Sequence, residues 1–192
     1  MKRTIVTAAV VLGSLALPAV AEAAPTAPSG NVARQLSDAA RAGRADCGRS
    51  SLFRTQPDGR TVYASNEMDY TGALANLVRL RAPADGPWEE LDICAHLDGG
   101  STYLTFQSIA NDKYLSAELG ATGIDYGMVR ARGERIGPWE KFDIDCDGDE
   151  GPCYLKSLAN NRYLSVEEGH SGTRKNMLRA RSATKGEWER FF

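Results

Sequence analysis

The sequence predicts an all-β domain built from three copies of one four-stranded unit, with pseudo-threefold symmetry. Three observations carry this reading. One phrase of roughly thirty residues occurs three times, which marks an internally repeated fold. Its anchors keep common offsets: Tyr63, Tyr114 and Tyr163 are separated by 51 and 49 residues, and so are Trp88, Trp139 and Trp188. Within each copy apolar and polar residues alternate with period two, the pattern of strands with one buried face.

In chain order, Lys2 and Arg3 precede an apolar run from Thr4 to Val20, and Ala21-Glu22-Ala23 forms a small-x-small cleavage site. This predicts a secretory signal peptide over residues 1–23, removed before Ala24. A membrane anchor is the competing reading. Gly13, Pro18 and the shortness of the run speak against it, and no later stretch is apolar enough to span a bilayer. Residues 24–48 form a lead. Ala24 to Gly30 is rich in Ala, Pro, Ser and Gly and reads as flexible. From Asn31 to Gly43 the pattern is helical, with Asn31 as cap, Val32, Leu36 and Ala39 or Ala40 on one side, and Gly43 as stop. So short a helix either docks on the main domain or frays.

Residues 49–192 hold the repeats, at about 49–99, 100–150 and 151–192. The first strand of each is expected at Leu52 to Gln56, Tyr103 to Ser108 and Tyr154 to Leu158. Turn residues follow: Pro57-Asp58-Gly59, Asn111-Asp112 and Asn160-Asn161. Leu115 and Ala117 then alternate with Ser116 and Glu118, Val129 and Ala131 with Arg130 and Arg132, and Phe142 and Ile144 with Lys141 and Asp143. One face of each strand is expected to be buried and the other wet. No single repeat can bury its apolar face alone, and three are too few for a propeller. A six-stranded barrel capped by three hairpins solves the problem and leaves no free sheet edge. This is the β-trefoil, closing on the last residues of the chain.

The formal net charge is −2, and loss of residues 1–23 removes Lys2, Arg3 and Glu22, leaving a slightly more acidic chain. General attraction to nucleic acid or anionic lipid is therefore not expected. The roughly 170 remaining residues suit one domain with its own core. A monomer is expected.

The phrase N-[DN]-[KR]-Y-L-S-x-E, then an apolar pair with Arg-Ala-Arg, then G-x-W-E-[KR]-F, is similar to the fascin-like (actin-crosslinking-type) β-trefoil repeat. The match covers residues 49–192. It is close in the second and third copies and looser in the first, where Ala64 replaces the leucine. The Q-x-W of ricin-type lectin trefoils is absent, since Gly86, Gly137 and Gly186 stand two residues before the tryptophans. The resemblance implies the trefoil fold. It also implies an actin-binding or scaffold role, fascins being actin bundlers with several such domains in tandem, whereas this chain has one and carries an export signal.

Few residues suggest catalysis. His96 and His170, the only histidines, fall in or beside different loops, and no nucleophile elbow occurs. No cofactor is expected. Metal-ligand clusters are absent from the pattern, and the acidic stretch Asp147-Gly148-Asp149-Glu150-Gly151 lacks EF-hand spacing and reads as a solvated turn. Glu118 is placed to face Arg130 or Arg132 across a hairpin, and its threefold recurrence makes this structural. The tryptophans are expected to pack between repeats, a surface row of ligand-stacking rings being the minor alternative. Function is sought where repeats differ, in the loops Met68 to Asn76, Leu119 to Gly127 and Glu168 to Asn176. Two of them contain Asp-Tyr: Asp69-Tyr70 and Asp125-Tyr126. An aromatic ring stacks on a sugar face and a carboxylate accepts its hydroxyl hydrogens. These four residues, with Asn111 and Asn160 of the neighbouring turns, are the candidate ligand residues of a secreted, non-catalytic module binding a glycan or polysaccharide. A tyrosine folded back over the barrel is the plainer alternative. A secreted hydrolase or protease inhibitor is a second reading, with Arg174-Lys175 as the anchor.

Four cysteines in an exported chain suggest two disulfides, and spacing alone allows three pairings. The trefoil decides among them. Its first and fourth strands run antiparallel side by side, which brings Cys47 to Cys94. A hairpin turn joins Cys146 to Cys153. Peptide mapping of the oxidised protein should therefore yield Cys47–Cys94 and Cys146–Cys153, and a peptide linking Cys47 to Cys146 or Cys153 would contradict the strand order. Breaking the longer loop should cost more, on the order of 4 kcal/mol in the chain-entropy model.

Overall fold

The structure is a computed structural model that describes residues 32–148 and 151–191. The expected signal peptide, the flexible lead and the Asn31 cap lie outside the described residues. Among the described residues, thirteen strands in one sheet follow a single α-helix, α1 (Val32–Arg41). Repeat one comprises β1 (Cys47–Ser51), β2 (Phe53–Thr55), β3 (Thr61–Glu67), β4 (Leu77–Ala82) and β5 (Glu90–Asp98). Repeat two comprises β6 (Ser101–Ser108), β7 (Lys113–Ala117), β8 (Val129–Gly133) and β9 (Phe142–Cys146). Repeat three comprises β10 (Cys153–Ser157), β11 (Arg162–Glu167), β12 (Met177–Ser182) and β13 (Arg190–Phe191). The first strand of repeat one begins earlier than its pattern suggests and is split at Leu52, which is wholly buried.

The barrel forms from the first and fourth strands. Antiparallel pairs run β1–β5, β5–β6, β6–β9, β9–β10 and β10–β13, and β13 lies against β2. Its interior is filled by Leu52, Ile93, Leu104, Phe106, Phe142, Ile144, Leu155 and Phe191, all essentially inaccessible. Phe106 and Phe142 meet edge to face with centroids 5.6 Å apart, a geometry aromatic pairs favour. Both cysteine pairs are bonded as expected. Their Cα separations, 4.1 and 4.0 Å, are shorter than the usual 5.5–6 Å. Each pair sits directly opposite in an antiparallel ladder as a non-hydrogen-bonded pair, flanked by the Ala95 N–H to Asp46 O and Asp147 N–H to Pro152 O bonds, and it is at such pairs that Cα atoms come closest.

The second and third strands make the hairpins β3–β4, β7–β8 and β11–β12. Each carries a register shift at its repeat tyrosine, between Tyr63/Ala64, Tyr114/Leu115 and Tyr163/Leu164. The three hairpins touch one another around the pseudo-threefold axis through Leu77↔Arg130, Met128↔Arg179 and Met177↔Arg79. Leu77, Met128 and Met177 form a small buried cluster there. Around it Leu80, Ala131 and Ala180 donate backbone N–H groups to the carbonyls of Asn176, Asn76 and Gly127, at 2.9, 2.9 and 2.7 Å. Arg79, Arg130 and Arg179 donate from Nε to the carbonyls of Lys175, Ala75 and Tyr126, at 2.8, 2.7 and 3.0 Å. Each repeat is thus stapled to another by the same two bonds.

Two expectations need correction. The strand Leu115 to Glu118 does not have a wet face: Ser116 and Glu118 are buried, as are Ser65, Glu67, Ser165 and Glu167 in the other repeats. The 3-10 turns Pro138–Glu140 and Glu187–Glu189 lie over β7 and β11 and cover the side expected to be exposed. Nor do the tryptophans pack between repeats. Trp88 and Trp188 are exposed at 37% and 53%, Trp139 is half-buried, and it is Glu89, Glu140 and Glu189 beside them that go inside. The carboxylate enters because it has a donor to satisfy: Glu140 Oε2 accepts the Gly137 N–H at 2.8 Å, closing the turn.

Helix α1 docks. Ala33, Leu36, Ser37 and Ala40 are buried at spacings of three and four, one face of a helix, against β5, β6, β1 and β9. Arg34 donates to the carbonyls of Gly148 and Gly151 at 2.7 and 2.8 Å, and Arg41 to that of Ile144 at 3.1 Å.

The axis contact sets one strict requirement. Gly127 has φ +76°, and a Cβ there would stand 2.6 Å from the Ala180 carbonyl oxygen. Gly127→Ala should lower stability by about 2–4 kcal/mol through strain and overpacking. Gly123→Ala has positive φ but open space around it, and should cost only about 1 kcal/mol. Urea midpoints of the two variants test this; equal losses would mean that the axis contact is not the constraint.

Candidate functional site

The loops joining second to third strands gather around the axis, but they do not build one repeated Asp-Tyr site. Counted from the buried glutamates, Asp69-Tyr70 are the second and third residues of their loop, while Asp125-Tyr126 are the seventh and eighth of theirs. Asp69-Tyr70 precede the 3-10 turn Gly72–Leu74, whereas Asp125 ends the 3-10 turn Gly123–Asp125 and Tyr126 follows it. Tyr70 packs on the axial cluster with Leu74 and Ala121, and its hydroxyl accepts a hydrogen bond from Arg79. Asp69 is exposed. Asp125 is engaged by Arg174, whose Nε and Nη2 donate at 2.7 and 2.8 Å. Tyr126 is 39% exposed and stands beside exposed Ile124. Asn111 and Asn160 serve their turns: each amide donates at 2.8 Å, to Ala131 O and Ala180 O, and each carbonyl accepts, from Lys113 N and Arg162 N. Of the six residues, Tyr126 and Asp69 alone are exposed, and they lie in different repeats. Arg174, the proposed inhibitor anchor, is tied to Asp125.

The repeated charges are structural here. Arg81 and Arg132 each place Nε and Nη2 on the two oxygens of Glu67 and Glu118, and Arg181 donates Nε to Glu167. Hydrogen bonding to Glu118 raises the pKa of Arg132. At the hairpin after β9, Lys185 sits 2.8 Å from both Asp145 and Asp147, which accept from Tyr163 and Tyr154 at 2.8 and 3.1 Å. The turn is thus tied down at Asp147. Asp149 and Glu150 lie outside the described residues. His96 stacks on Tyr103 at 4.8 Å and bonds Thr105 at 2.8 Å, while His170 lies 3.4 Å from Glu167.

What the sequence reading missed is a cleft of about 530 Å³ in repeat two, beneath the turn that carries Trp139. It is lined by Ser116 of β7, the segment from Arg132 to Arg135, Gly137, Trp139 and Glu140. Local sequence builds it. Gly133 leaves room for Glu140, since a Cβ would stand 2.9 Å from Glu140 Cγ, and Gly120 lets the Trp139 ring approach to 3.2 Å of its absent Cβ. Asp69 and Gly169 are the equivalents of Gly120 in the other loops, and a Cβ on Gly169 would meet nothing within 4 Å. Ser116 is buried on the cleft wall, as are its equivalents Ser65 and Ser165 in the other repeats, and of the three it is Ser165 whose hydroxyl is buried without a hydrogen-bond partner among the described residues. The sequence signal was present: repeats two, one and three read Gly-Glu-Arg-Ile, Ala-Pro-Ala-Asp and Ser-Ala-Thr-Lys before the common glycine (133–136, 82–85 and 182–185).

No protein-family model matches this chain, and no curated protein does. Solved structures do. It is similar to part of a mosquitocidal holotoxin, at 13% identity and TM-score 0.59, over 76% of this chain and 17% of that one. The designed threefold-symmetric protein ThreeFoil matches at 16% and 0.56, over 74% of this chain and 95% of its own. The BEL β-trefoil matches at 13% and 0.53, over 75% and 92%. At such identities the likeness concerns fold alone. The chain is a β-trefoil, and it spans about a sixth of the holotoxin chain.

The Asp125–Arg174 pair joins repeats two and three, and hydrogen bonds from Arg174 hold the Asp125 carboxyl below the usual carboxylate range. A depressed folded-state pKa gives stability that is fully present above the unfolded value near 4 and is lost as pH falls through the folded value. Arg174→Ala should thus cost about 1 kcal/mol at pH 7, the pair being about a quarter exposed. The deficit should shrink as the pH is lowered beneath about 4. Urea melts of both proteins across that range check it; a deficit that does not change would assign the loss to packing.

Proposed function

We propose that this protein is a non-catalytic carbohydrate-binding module of fascin-like trefoil type, monomeric and exported to an oxidising compartment, with its site in the cleft beside Trp139. The observation that carries the reading is the placement of the tryptophans. A trefoil core has every physical reason to bury three indoles, yet here Trp88 and Trp188 are exposed and Trp139 is half-buried, while the neighbouring carboxylates are buried. In repeat two the ring borders a cleft whose wall carries the Ser116 hydroxyl and charged side chains. An aromatic face for the apolar side of a sugar ring, with few polar groups to fix its hydroxyls, is what such recognition requires. The fascin-like type is supported by the repeat phrase, and the oxidising compartment by the two disulfides. A stapled, rigid frame suits binding that needs little reorganisation.

Trp139→Ala should abolish glycan binding, or weaken it at least tenfold, with the far-ultraviolet circular dichroism spectrum preserved. Trp88→Ala and Trp188→Ala should have smaller effects, because neither ring lines the cleft of repeat two. A glycan array followed by titration calorimetry makes the measurement. A folded wild-type protein that binds nothing on the array would defeat the reading.

A further inference from the structure

The cleft has a charge bias that its net composition hides. Four charged residues line it, two of each sign: Arg132, Arg135, Glu134 and Glu140. Three of them are engaged. Arg132 is locked to Glu118. Glu134 pairs with Lys113 at 3.2 Å. Glu140 is buried and accepts the Gly137 N–H. Arg135 is exposed and makes no hydrogen bond or ion pair with any described residue. The cleft's one uncommitted charge is therefore a guanidinium, which lines the same cleft as the Trp139 ring and Ser116. Repeats one and three carry Ala84 and Thr184 at this position, so the bias belongs to repeat two.

Resting on the carbohydrate reading above, we infer that the cleft selects acidic sugars, with the Arg135 guanidinium taking the carboxylate of a uronic-acid residue whose ring lies on Trp139. A guanidinium presents parallel N–H donors that match the two oxygens of a carboxylate. The chain as a whole is acidic and does not draw polyanions to its surface, so a single oriented cation, rather than a basic patch, makes the choice. The remaining cleft groups leave it free to do so. Lys113 holds Glu134, whose carboxylate would otherwise compete for Arg135, and the Gly137 N–H holds Glu140.

The test uses a panel of uronic-acid oligosaccharides, each beside its carboxyl-reduced neutral counterpart, titrated against the full chain and against Arg135→Gln and Trp139→Ala. The expected result is about tenfold tighter binding of the acidic member at low salt, a preference that fades as salt is raised. Arg135→Gln should erase that preference while neutral binding persists, and Trp139→Ala should remove both. Equal affinity for acidic and neutral partners, with both lost in Trp139→Ala, would overturn the acidic selection and leave the carbohydrate site standing. An acidic preference that survives in Arg135→Gln would overturn the assignment to Arg135. No binding of any panel member by the folded chain would remove the site and the inference together. Lys113→Met supplies an independent check: freeing Glu134 to engage Arg135 should weaken the acidic member and spare the neutral one.

Discussion

Everything in this fold depends on how three hairpins close around one axis. Each hairpin is too small to shield its own backbone, and the three meet where no strand continues. The Leu80, Ala131 and Ala180 N–H groups bond to carbonyls of another repeat, and the Arg79, Arg130 and Arg179 side chains reach carbonyls one residue away from those. Buried backbone groups must be satisfied, and here they are satisfied only if all three repeats are present. The cluster of Leu77, Met128 and Met177 fills the centre that this closure leaves. Threefold repetition is therefore a requirement of the hydrogen bonding as well as of the core.

The same closure explains why the charged phrase of each repeat is poor material for a ligand site. In Arg-x-Arg the first arginine serves the axis. The second clamps the glutamate that ends the preceding strand. Those glutamates are buried while the arginines are partly exposed, so removing an arginine would leave an uncompensated carboxylate inside. Residues that hold the frame this tightly cannot be free to meet a ligand. Variation falls to the loops after the glutamates and to the turns before the tryptophans.

In those two places the repeats have diverged in different ways. Around the axis the equivalents of Leu74 are Asp125 and Arg174, and those of Tyr70 are Ala121 and His170. One trio keeps an apolar member and turns the other two into an ion pair; the other sets a tyrosine against a small residue. Both make inter-repeat packing unsymmetrical without opening a site. Before the tryptophans, repeat two alone combines a glycine, an acid and an arginine. There the indole leans on Gly120, and a cleft remains. The binding surface proposed for this protein is thus a local departure from symmetry on a frame that symmetry makes rigid.

By itself the sequence determined the repeat, the hairpin partners and four strands in each copy, apart from the split first strand of repeat one. These follow from periodicity and from fixed offsets such as Tyr63–Tyr114–Tyr163, and the disulfide pairing follows one step later, from the strand order of the trefoil that the repeats imply. It also marked the helical pattern after Asn31, though whether that helix would dock was open. Only the tertiary structure decided what covers what. Ser116 and Glu118 carry a wet-face pattern yet lie beneath a turn brought over them from more than twenty residues away. Trp139 carries a core residue's chemistry yet is only half-buried, while the adjacent Glu140 goes inside, where the Gly137 N–H satisfies its carboxylate. Asp69-Tyr70 and Asp125-Tyr126 share two letters, but their places in the loop differ by five residues, and only the axis contacts separate their surroundings. Alternation along a strand reports one neighbour on each side, whereas burial depends on every segment that folds back, and that information is distributed over the whole chain.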